Sequence, residues 1–127
     1  MGQTDPVVSD GFLAVTMSER GTVSVERLAA ELNLTRAQLA VALGLSREAL
    51  SKSRRAGSRA TQARLRDAVE IMNRIQPWAG SLPQAFAWYR AQPLPSFGDR
   101  TAEDLVKEGR AEAVKRYLSR IATGGYA

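Results

Sequence analysis

Thr35-Arg36-Ala37-Gln38-Leu39-Ala40-Val41-Ala42-Leu43-Gly44-Leu45-Ser46-Arg47-Glu48-Ala49-Leu50-Ser51-Lys52-Ser53-Arg54-Arg55 is the stretch on which the fold turns. Thr35 followed three positions later by Gln38 is a capping box, in which each side chain satisfies an orphan backbone N–H of the first helical turn. Leu39, Ala40 and Leu43 then lie on one face, and Gly44 can take the left-handed conformation that stops a helix. Ser46 is placed to cap a second helix at once, expected from Arg47 to about Arg54 with Ala49 and Leu50 pointing inward. Only Leu45 separates the two helices, so the second must leave at a steep angle. Small Ala40 at the crossing, Gly44 in the turn and Leu50 as anchor make this a helix-turn-helix. A plain helical hairpin with a solvated charged face shares the spacing.

Charge weighs between those two readings. The 127-residue chain carries 18 Lys and Arg against 13 Asp and Glu. Eight of the cations (Arg36, Arg47, Lys52, Arg54, Arg55, Arg59, Arg64 and Arg66) fall between Thr35 and Arg66 beside the single acid Glu48, so the rest of the chain is slightly acidic. A basic block confined to one stretch is the footprint of a polyanion partner. If the second helix enters a DNA major groove amino end first, Arg47, Glu48, Ser51 and Lys52 project towards base edges, while Arg54, Arg55 and Arg59 reach phosphates; Arg36 and Ser46 complete the expected DNA-contacting set. Arg47 is the expected guanine reader. One such unit covers few base pairs, so a homodimer on palindromic half-sites is expected.

Working outward, Val25, Leu28, Ala29 and Leu32 recur at helical spacing behind a Ser24 cap. Residues 1–22 form a flexible or weakly structured start. Downstream, Ala56-Gly57-Ser58 is a break before an amphipathic helix to about Ile75 with Leu65, Ala68, Val69 and Met72 on one face. Gln76-Pro77-Trp78-Ala79-Gly80 reads as a boundary, dividing a lobe over 23–76 from another over 77–127. The second lobe holds a helix from about Leu82 to Ala91 and a rigid loop over Pro93–Asp99. A second capping box at Thr101 and Asp104 opens the next helix, and a last stripe is made by Ala113, Val114, Tyr117, Leu118 and Ile121. Trp88 lies off the stripe of Phe86 and Tyr89 and is expected to glue the lobes together. No strand-like alternation appears, so the fold class is all-α.

Neither cysteine nor histidine is present, which removes the common nucleophile–base pairs and the usual zinc and iron sites. No Glu or Asp pair stands in an apolar setting that would shift its acidity. No catalytic residue, metal or cofactor is expected, and an enzyme is not. No apolar run is long enough to span a bilayer and no export signal is visible at the amino terminus, so no membrane association and a cytoplasmic location are expected.

The arrangement of a helix-turn-helix lobe followed by Trp88-Tyr89-Arg90, Pro93-Leu94, Phe97-Gly98, Arg100-Thr101, Leu105-Val106 and Ala113-Val114 resembles the Xre/MbcA/ParS-type antitoxins of bacteria. The ending Arg120-Ile121-Ala122-Thr123-Gly124-Gly125-Tyr126-Ala127 resembles their carboxyl-terminal signature, so the likeness runs from about Val25 onward. The resemblance implies an Xre/Cro-like first lobe that binds the operon's own promoter as a repressor. It also implies a second lobe that binds a cognate toxin, usually a RES-domain enzyme that destroys NAD. On that reading Lys115, Arg116, Arg120 and the tail Gly124-Gly125-Tyr126-Ala127 face the toxin and cover its active site, with Tyr126 as anchor. The bland alternative makes the basic residues a solvated face and Tyr126 a frayed end. A stand-alone repressor whose second lobe dimerises or senses a ligand is the competing function.

Overall fold

In the computed structural model, the structure describes residue 12 and residues 16–18, 21–51 and 56–122. It is all-α, with six α-helices and two short 3-10 turns among these residues. Helix α1 (Val25–Leu32) starts at Ser24, whose hydroxyl accepts the Arg27 N–H, and stops at left-handed Asn33; Val25, Leu28, Ala29 and Leu32 are its buried face. Helix α2 (Arg36–Ala42) starts on the expected capping box, Thr35 accepting from the Gln38 N–H while the Gln38 side chain accepts from the Thr35 N–H. Gly44 follows at φ +74°.

The next segment departs from expectation. Where an α-helix from Arg47 is expected, the chain makes a 3-10 turn over Arg47–Leu50, and Ser46 forms no side-chain cap bond; Lys52, Ser53 and Arg54 of the expected helix lie outside the described residues. Over these four residues Leu50 is the single buried side chain, which leaves little apolar surface to favour an α-helical turn. Two polar contacts pin it instead: Arg36 Nη1 donates to the Leu50 carbonyl at 3.2 Å, and the Ser51 hydroxyl donates to the Glu48 carbonyl at 2.8 Å.

Helix α3 (Arg59–Ala79) is the spine, capped by Ser58 and burying Leu65, Ala68, Val69, Ile71, Met72 and Ile75. It continues four residues past the expected stop at Ile75, straight through Pro77. A proline this near the carboxyl end removes one internal hydrogen bond only, and the last turn gains a contact in return: Trp78 packs edge-on against Trp88 with ring centroids 5.3 Å apart. The chain reverses at Gly80, where φ is +104°. The tryptophan pair thus joins the end of α3 to helix α4 (Leu82–Ala91), which is capped by Ser81 and places Pro83 in its first turn.

A loop closed by an antiparallel bridge between Leu94 and Arg100 surrounds the second 3-10 turn, Pro95–Phe97. Phe97 meets Tyr117 edge to face at 5.9 Å, and Arg110 lies over its other side. Helix α5 (Ala102–Lys107) opens on the expected Thr101 and Asp104 box, which holds the Asp104 carboxyl below its usual range through hydrogen bonds with Thr101. Helix α6 (Ala111–Ala122) buries Ala111, Val114, Lys115, Tyr117 and Leu118.

One apolar cluster contains buried side chains from every one of these helices, so the two expected lobes share a core. Helix α3 packs on both α4 and α6, and α1 packs on α4. Two polar struts cross the same seam. Fully buried Tyr89 donates its hydroxyl to the Ala42 carbonyl at 2.8 Å. Arg64 Nη1 donates to the carbonyls of Leu43, at 2.8 Å, and Val106, at 2.9 Å. Ala42 and Leu43 lie at the carboxyl end of α2, where carbonyls lack an internal helical donor, and Val106 lies in the last turn of α5.

Candidate functional site

The structure sorts the expected DNA-contacting residues into three groups. Ser46, Arg47, Glu48, Ser51 and Arg59 are exposed. Arg47 has no ion-pair partner among the described residues, and Arg59 opens the first turn of α3, where a cation works against the helix dipole. A side chain kept where it does not help the helix is available for an anionic partner. Arg36 differs: its guanidinium is half-buried and turned inward, with Nη2 donating to Glu26 at 2.6 Å and Nη1 to Leu50. It ties the 3-10 turn to α1. Lys52, Arg54 and Arg55 lie outside the described residues.

The residues expected to face a toxin divide in the same way. Arg116 and Arg120 are exposed one turn apart on α6, Arg120 with its guanidinium 5.8 Å from the centre of the Tyr117 ring. Tyr117 itself is core, as its spacing implied. Lys115 is not on that outer face. Its ammonium is buried against α3, 2.7 Å from Asp67, 3.0 Å from Glu70 and 3.0 Å from Glu112. Burial opposes its charge, but hydrogen bonds with Asp67, Glu112 and Glu70 outweigh that and hold its pKa above the ordinary lysine value. Arg74 completes the network, donating to Glu70, Ser119 and the Lys115 carbonyl. Lys115 therefore positions α6 on α3 and has no donor to spare for a toxin. Gly124, Gly125, Tyr126 and Ala127 lie outside the described residues.

Two functional-looking residues escaped the expectation. Val41 on α2 is 39% exposed among apolar residues that are otherwise mostly covered, and it floors a groove also lined by Thr35, Ala37, Gln38, Arg47 and Arg90. Arg90 comes from α4, distant in sequence; nothing local could have placed it beside α2 and Arg47.

With this geometry in place, the relation to known proteins is specific to one part of the chain. Residues 76–124 match the family model described as the antitoxin Xre/MbcA/ParS C-terminal toxin-binding domain. Over this span the chain is similar to the toxin-binding domain of the Xre/MbcA/ParS antitoxins. The matched domain takes in the last turn of α3, both tryptophans, the Leu94–Arg100 loop and all of α4, α5 and α6. Neither a curated protein nor a solved structure matches the chain. Among the described residues no helix is long and apolar enough to cross a membrane.

Proposed function

We propose that this protein is an antitoxin of the Xre/MbcA/ParS type, which neutralises a cognate toxin by covering its active site and represses its own operon through the helix-turn-helix. The match of residues 76–124 to a toxin-binding antitoxin domain carries the first half of the reading. The toxin class that the resemblance favours is a RES-domain, NAD-degrading enzyme. The contact surface runs from the exposed Arg116 and Arg120 into Gly124–Ala127, where Tyr126 supplies the anchor area that a concave site rewards. The second half rests on exposed Arg47, Ser51 and Arg59 within a basic stretch, and on a turn with the close crossing that a groove-reading unit requires. A homodimer supplies the second half-site.

Co-expression with the product of the adjacent gene tests the proposal directly. The full chain should restore growth and co-purify with that product, whereas a chain lacking Gly124–Ala127 should lose most of the rescue and still bind promoter DNA. Equal rescue by the shortened chain would show that the tail does not cover the active site. Failure of the full chain to co-purify would remove the antitoxin reading for this gene pair.

A further inference from the structure

We propose that the groove between α2 and α4 takes a backbone phosphate of duplex DNA, with Arg90 of the toxin-binding domain as its clamp. The inference rests on the DNA-binding reading above and extends that interface beyond the helix-turn-helix. The groove has a volume of about 310 Å³ and is lined by Thr35, Ala37, Gln38, Val41, Arg47 and Arg90, two cations and no acid. It opens beside the start of the 3-10 turn, the end of the motif whose side chains are aimed outwards.

Arg90 is already held in one pose. Its Nε donates to Glu103 at 3.1 Å and its guanidinium sits 5.5 Å from the centre of the Phe86 ring. The terminal Nη groups have no acceptor among the described residues, while the side chain is 52% exposed. A guanidinium fixed through Nε and offering a free fork is the arrangement suited to a phosphate, because little rotamer freedom is left to lose on binding. Glu103 does not neutralise it: the same carboxylate is shared with Lys107 at 2.9 Å. With Arg47 also lining the groove the local balance stays positive, so a polyanion is the complementary occupant. Exposed Val41 lies under the deoxyribose side of such a backbone, where an apolar contact is tolerated.

Binding of the full-length protein to the duplex upstream of its own gene, and to an unrelated duplex of equal length, is measured across a salt series. Arg90→Gln should weaken both about tenfold and reduce the slope of log affinity against log salt by about 0.9, the signature of one phosphate contact. Arg90→Lys should keep the slope. Val41→Glu leaves the Arg90–Glu103 pair intact and should weaken both duplexes too, which guards against misfolding as the cause. Arg47→Ala should instead lower the preference for the cognate duplex. If Arg47→Ala acts while Arg90→Gln and Val41→Glu leave affinity and slope unchanged, the groove holds no phosphate. If those two variants spare DNA binding but lose toxin neutralisation, the groove belongs to the toxin. Absence of wild-type DNA binding at every salt concentration would overturn the underlying reading and this inference with it.

Discussion

Tyr89→Ala should lower the stability of the protein by about 3–5 kcal/mol, the cost range of emptying a well-packed aromatic site. The side chain is fully buried and stacks on Phe86 with ring centroids 5.8 Å apart. Its hydroxyl satisfies the Ala42 carbonyl, so truncation removes packing and orphans a buried acceptor at the end of α2 together. Tyr89→Phe separates the two effects and should cost about 1–2 kcal/mol, the hydrogen bond alone. Urea unfolding of the three proteins checks the series, and an alanine variant as stable as the phenylalanine one would mean that the site collapses without loss.

The same residue sets an alkaline limit. Burial, and then the charge of Glu103, push the Tyr89 hydroxyl far above its ordinary value of 10.0. Below that value the group is protonated in both folded and unfolded chains and stability does not depend on it. Above it the unfolded chain ionises and the folded one does not, so stability falls as pH rises from about 10 upward. Tyr89→Phe should remove that part of the alkaline loss.

Gly44→Ala should cost about 2–4 kcal/mol, combining roughly 1–2 for a left-handed alanine with the strain of overpacking. At φ +74° an added Cβ would sit 3.2 Å from the Lys107 Cα and 3.3 Å from Arg64 Nη1. The first neighbour is backbone and cannot swing aside. Gly109 provides the control: at φ +84° its added Cβ would meet nothing within 4 Å, so Gly109→Ala should show the backbone effect alone. Equal losses in thermal melts of the two variants would mean that the turn is not pressed against α5.

Local chemistry was legible in the chain, and long-range pairing was not. Both capping boxes and the left-handed Gly44 follow from residue types at fixed offsets, and the structure places them as read. At Ser46 the capping signal says where a helix can begin, whereas the kind of turn that forms depends on how much apolar surface it buries; over Arg47–Leu50 that is Leu50 alone. Pro77 signals a stop because its cost is local and visible in the sequence, while the Trp78–Trp88 contact that accompanies its acceptance is not. Lys115 shows a signal that was available. Ala111, Val114, Lys115 and Leu118 share one helical face, and a lysine on that stripe must be buried and paired. Its partners, Asp67 and Glu70, sit a full element away, as does the Arg90 that completes the groove at Arg47. The match to an antitoxin domain bears out the carboxyl-terminal resemblance; no spacing rule would have supplied it.

Arg64 limits how freely the matched domain could be exchanged for that of another chain. A graft cut at the edge of the recognised domain, residue 76, would sever the last turn of α3 and separate Arg64 from one of the two carbonyls that it holds, Leu43 and Val106. The excised piece would carry Tyr89 without Ala42 and Lys115 without Asp67 and Glu70, and should give the circular dichroism of an unfolded chain. The transplantable unit is larger than the recognisable one: a chimera keeps its shape only if the incoming domain arrives with the spine helix and the tight turn already fitted to it.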